Sequence, residues 1–130
     1  MSHFTRVKTM IRDQTVLEEA LRQLNYEFQS GENLPIQGLE NVKQGQVVIE
    51  TGSRYNIGYQ RQADQTYVIC ADWWAIQRNT PIRQESFMEE INRTYAHLIV
   101  KHQVLEQGLI IEEEKILPNG EIELVVCERF

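Results

Sequence analysis

The sequence predicts an α+β fold, a mostly antiparallel sheet with two helices packed on one face and a C-terminal β-hairpin. Three patterns carry that prediction. Short stretches with β-branched or aromatic residues alternate apolar and polar positions, as half-buried strands do. Two longer stretches repeat apolar residues at spacings of three and four, the mark of a helix lying on a core. Near the end, Pro118-Asn119-Gly120 sits between two apolar runs, and Asn and Gly accept the positive φ that hairpin turns require.

The elements follow in order. Thr5, Val7, Thr9 and Ile11 alternate with Phe4, Arg6, Lys8 and Met10, predicting a strand over 3–11. Asp13 or Thr15 then caps a helix; Thr15 with Glu18 has capping-box spacing. Val16, Leu17, Ala20, Leu21 and Leu24 form its core stripe. Tyr26 to Phe28 is expected as a short strand parallel to the first, joined by a right-handed crossover. Gly31, Pro35, Gly38 and Gly45 break periodicity, so 29–46 is expected as a flexible loop. Three strands follow at Val47–Ile49, Tyr55–Arg61 and Tyr67–Ala71.

The long helix is expected from Gln84 to Gln107, with Gly108 as its stop. Phe87, Ile91, Tyr95, Leu98, His102 and Leu105 are its predicted stripe, facing Leu17, Leu21 and the sheet. Leu109–Leu117 and Gly120–Val126 make the closing hairpin.

Four stretches have a family character: Ser2-His3-Phe4-Thr5 running into Lys8-Thr9 and Ile11-Arg12-Asp13; Tyr55-Asn56-Ile57-Gly58-Tyr59-Gln60-Arg61; Asp72-Trp73-Trp74; and Ile91-Asn92-Arg93-Thr94-Tyr95-Ala96 followed by Gly108. In these the chain resembles the hypothetical chloroplast reading-frame family numbered thirty-five, small uncharacterised proteins of cyanobacteria and algal plastids. The resemblance implies a cyanobacterial or plastid origin and a link to photosynthetic physiology. It implies no active-site residue.

A chain of 130 residues fits one domain over 1–130. No apolar run approaches the ~20 residues of a membrane-spanning helix, and the opening lacks a secretory or transit pattern. Cys70 and Cys127 lie in apolar runs and read as reduced thiols. The cytoplasm of a cyanobacterium or a plastid stroma is the expected compartment. A net charge of -6 argues against nucleic acid as a partner. Arg6, Lys8 and Arg12 make the start basic, whereas glutamates from Glu106 to Glu128 make the last quarter acidic, opposed by Lys115 and Arg129.

Chemical motifs are sparse. His97 and His102 are five apart, so they diverge around a helix instead of pairing on a metal. Cys70, His102 and Asp72 lack the local geometry of a nucleophile, and His3 reads as a strand-end residue. No catalytic residue, cofactor or metal is assigned. Asn56-Ile57-Gly58-Tyr59 is faintly like a strand of an RNA-recognition sheet, without that sheet's basic residues. Hot-spot residue types concentrate at Tyr59, Arg61, Trp73 and Trp74, the predicted surface for a protein partner, with one tryptophan turned outward. The expected function is a non-enzymatic protein-binding or regulatory module. The alternative is a small-molecule cup between the sheet and the long helix, or an unrecognised enzyme.

Overall fold

A computed structural model describes residues 3–128; Ser2 of the opening motif and Arg129 lie outside them. Seven strands and three helices follow in the order β1 (Thr5–Lys8), α1 (Gln14–Gln23), β2 (Phe28–Gln37), β3 (Val42–Glu50), β4 (Asn56–Arg61), β5 (Tyr67–Ala71), α2 (Trp73–Asn79), α3 (Gln84–Glu106), β6 (Leu109–Ile116) and β7 (Ile122–Glu128). The first five strands form one antiparallel sheet ordered β1-β5-β4-β3-β2, and β6 and β7 form a second, two-stranded sheet. This is the α+β class expected.

β1 stops earlier than its alternation suggests. Thr9 Oγ1 donates to Tyr67 O at 2.6 Å and accepts from Ile11 N at 3.1 Å, which throws Met10 out into solvent. Asp13, not Thr15, caps α1, its carboxylate accepting from Val16 N at 3.1 Å. Val16, Leu17, Ala20 and Leu21 bury the predicted stripe. β2 does run parallel to β1, but at the opposite edge of the sheet and over ten residues. The ten residues of α1 span about 15 Å, most of the roughly 19 Å across four strand spacings.

The segment 29–46 is a β-hairpin, not a loop. Its residues look irregular in sequence because the hairpin crosses the sheet's helix-free face as an arm and buries few side chains of its own. β3 pairs with β4 only over Val47–Glu50, while its earlier residues pair with β2 alone. The β2–β3 register slips between the pairs Ser30–Val47 and Leu34–Gly45, and a Cβ at Gly45 would lie 2.9 Å from the carbonyl oxygen of Tyr59. Beyond it Ile36, fully buried, seats against Gly58 and joins Val48 and Cys70 in a small cluster with Phe4 and Leu34 at its margin. The arm is tied down at its tip. Gln37 N donates to Asn56 Oδ1 at 2.9 Å, and Leu39 N to Asp72 Oδ2 at 3.0 Å.

The other face of the sheet carries the main core. Leu17 and Leu21, Ile57 and Ile69, and Ile76 and Ile91 are all fully buried between sheet and helices. α3 is held to the start of α1 by the Tyr95 hydroxyl, which accepts from Arg12 N at 3.1 Å and Asp13 N at 3.0 Å. Phe87, Ile91, Tyr95 and Leu98 face inward as predicted, but His102 and Leu105 are exposed because the last turns of α3 overhang the core. α2 was not expected. Asp72 caps it by accepting from Ala75 N at 3.2 Å, and the chain leaves it at Thr80-Pro81.

Candidate functional site

The residues predicted as a partner surface do not form one. Tyr59 and Trp73 are core side chains at 1% and 4% exposure. Tyr59 lies on the helix-covered side of β4, where burial drives its phenol pKa far above the ordinary value. Trp73 opens α2 with its ring 5.8 Å from that of Phe87. Trp74, one step on and so about 100° around the helix, points outward under the Arg78 guanidinium at 4.6 Å. Arg61 is exposed but pairs with Tyr67 at the start of β5, whereas Trp74 lies beyond its end. Arg61 Nη2 holds Glu32 Oε1 at 3.2 Å. The two outward residues therefore sit at opposite ends of the sheet.

The candidate histidines and cysteines are also separated. His97 Nε2 lies 2.9 Å from Glu114 Oε1, close but outside hydrogen-bonding geometry, with Lys101 on the other oxygen at 3.2 Å. His102 Nε2 meets Glu19 Oε2 at 2.8 Å on the surface. Cys70 faces the arm, its thiol pushed up by burial, and His3 is exposed. Among the described residues no group of three or more His, Cys, Asp or Glu side chains could hold a metal. The space needed for a cup between sheet and long helix is filled by the main core.

A different surface combines the concavity and apolar character of a docking site. α3 carries a second apolar stripe, Ala96, Ile99, Val100 and Val104, of which Ile99 also packs on the edge of the main core while Ala96 and Val100 face outward. It forms the floor of a groove with two lobes of about 570 and 460 Å³ that share Ala96 and Val100. One wall is β7, through Ile122, Leu124 and Val126; the other is Met10 and Ile11. Met10 is 88% exposed and Val100 46%. The β6–β7 sheet is acidic, though in the groove itself Glu121 stands near Arg93, and Glu123 alternates to the sheet's other face. Glu112, Glu121, Glu123 and Glu128 have no cationic partner among the described residues. Sequence reading missed this groove because the core stripe already accounted for α3. The signal was present in Ala96-x-x-Ile99-Val100-x-x-x-Val104, a second set of helical spacings on the same element.

Comparison with known proteins settles the family. Residues 20–125 match the model of a protein family of unknown function, DUF1257. The chain belongs to that family. An uncharacterised protein ycf35 of Cyanophora paradoxa is 30% identical over 129 residues, covering 97% of this chain and 96% of that protein. Proteins of the same description from Pyropia yezoensis and Guillardia theta are 26% and 25% identical, each over 126 residues with the same coverage. The relatives agree with the resemblance to the thirty-fifth chloroplast reading frame and with a cyanobacterial or plastid origin. No solved structure matches significantly. Among the described residues no helix is long and apolar enough to cross a membrane.

Proposed function

We propose that this DUF1257 protein is a protein-binding module, and that its docking surface is the groove along the outer face of α3. The occupant is an amphipathic helix of another protein, flanked by basic residues. The observation that carries this reading is the second apolar stripe on α3, left open between two apolar walls. A soluble domain gains nothing from such a stripe unless something covers it, and a groove floored by a helix suits a helical ligand anchored at spacings of three and four. Glu121 in the groove lining and Glu128, which shares the face of Leu124 and Val126, favour cations at that margin of the ligand. Regulation or assembly through that partner is the role that follows, and the relatives' origin connects it with photosynthetic cells.

Benzoylphenylalanine placed at Met10, on the rim, tests the proposal by photo-crosslinking in the native organism. The expected adduct maps by mass spectrometry to a basic amphipathic helix of a second protein, disappears with Ala96→Arg, and is competed by a peptide of that helix. An adduct at twice the chain's own mass would identify a second copy as occupant. That outcome, or crosslinks insensitive to Ala96→Arg in a folded variant, overturns the reading.

A further inference from the structure

The helix-free face of the sheet holds a second cavity that the docking groove does not use. Between the folded-over arm and the β1 side of the sheet lies a cup of about 590 Å³, within the range of small-ligand sites. Its lining is chemically different from that of the groove. Arg6, Lys43 and Arg61 stand against the single carboxylate of Glu32, together with the side-chain amides of Asn33, Gln44, Gln46, Gln60 and Gln62. A chain of net charge -6 therefore concentrates positive charge in one concavity.

Arg61 is paired with Glu32, but Arg6 has no carboxylate partner among the described residues. Its Nε donates to Gln60 Oε1 at 3.0 Å and its Nη2 to Gln62 Oε1 at 3.1 Å, both uncharged acceptors. The amides thus fix the guanidinium plane without cancelling its charge. Lys43, on the arm, has no carboxylate partner among the described residues. The fields of Arg6 and Lys43 both reach the floor of the cup at Cys70. A guanidinium fixed by amides and a lysine ammonium lining the same cup suit a phosphate, the first by directed hydrogen bonds and the second as a point charge.

We infer that this cup binds a small phosphomonoester, its phosphate held between Arg6 and Lys43 and its hydroxyl-bearing remainder by the side-chain amides of Asn33 and Gln44. Gln46, Gln60 and Gln62 each use both amide ends within the protein. The side-chain amides of Asn33 and Gln44 make no hydrogen bond among the described residues and offer donors and acceptors, which match a sugar better than a bare ion. Lys43 pairs with Ile36, which seats on Gly58, so the arm's position on the sheet is what puts Lys43 in the same cup as Arg6.

Isothermal titration and thermal shift with ribose 5-phosphate, adenosine monophosphate, inorganic phosphate and adenosine test the inference. The two phosphomonoesters are expected to bind saturably, inorganic phosphate more weakly, and adenosine not at all. Lys43→Gln and Arg6→Gln should each weaken binding about tenfold or more, the usual effect of losing one charge-assisted hydrogen bond. Lys115→Gln, on the far hairpin, should leave it unchanged. The side-chain amide signals of Gln44, Gln60 and Gln62 should move in nuclear magnetic resonance spectra during the titration. Adenosine binding as well as its monophosphate, or no saturable binding by either phosphomonoester, overturns the inference. So does binding that Lys115→Gln weakens as much as Lys43→Gln.

Discussion

Gly58 and Ile36 make the tightest fit in the molecule, because Ile36 occupies the space that any side chain at position 58 would need. Gly58→Ala should cost about 1–3 kcal/mol, the usual loss on overpacking a filled site. Ile36→Ala alone should also destabilise, yet the pair together should lose less than the sum, as neighbours sharing one space do. Additive losses in urea titrations would mean that the arm does not rest on β4. Ile91, fully buried against the sheet, should lose about 2–5 kcal/mol as Ile91→Ala. A loss below about half a kcal/mol would expose the stripe. The cysteines make a third test. Burial raises both thiols above their ordinary pKa, and Cys70 is also closed off. Native iodoacetamide should therefore modify Cys127 before Cys70, faster as pH rises and thiolate forms. Alternation places Ile57, Tyr59 and Arg61 on one side of β4, with Tyr55 just before it, and of these Tyr55, Ile57 and Tyr59 share the core. Period two cannot say which side of a strand is covered. That is why Tyr59 read as surface.

Between elements, Asp72 is the joint. One carboxylate oxygen caps α2 and the other accepts from Leu39 N at the tip of the arm. Asp72→Asn can keep the cap through its carbonyl oxygen while its amide nitrogen cannot accept from Leu39. Hydrogen exchange of the 38–41 amides should then quicken with α2 little changed, whereas Asp72→Ala should loosen both at about 1–3 kcal/mol. Equal effects of the two substitutions would separate the arm from this residue. α2 was illegible because seven residues are too few for helical periodicity to register, and Trp73-Trp74 reads as readily as the end of a strand. The arm was illegible for a related reason. Pro35 is tolerated because β2 is an edge strand, and Gly38 and Gly45 are there for close approach to Phe4 and Tyr59, so residues that usually punctuate loops here serve packing. α1, the meander, α3 and the last hairpin were legible because each has a stripe or an alternation several residues long.

Across the whole molecule, stability should be unequal. The β6–β7 sheet has two strands and packs on α3, while the five-stranded sheet is covered on one face by helices and on part of the other by the arm. Two-stranded sheets are marginal by themselves. In native-state hydrogen exchange under mild denaturant, amides of β6 should open at lower free energy than those of Ile57 and Ile69. Uniform protection would make the hairpin part of one cooperative unit with the core. Such a low-stability flap forming one wall of the α3 groove would let that wall adjust to its occupant.

The strand order also has a consequence in time. β2, β3, β4 and β5 are each hydrogen-bonded to their neighbour in sequence, so that meander can assemble from local contacts. β1 is the exception, with Lys8 opposite Val68 and Thr5 opposite Ala71. β1 therefore cannot pair until the roughly sixty residues that separate it from β5 have been made. Until then the edge that β1 joins has not been made. Substituting Val7 by Ala should hasten unfolding and leave the refolding rate nearly unchanged, because its contacts form after the barrier is crossed.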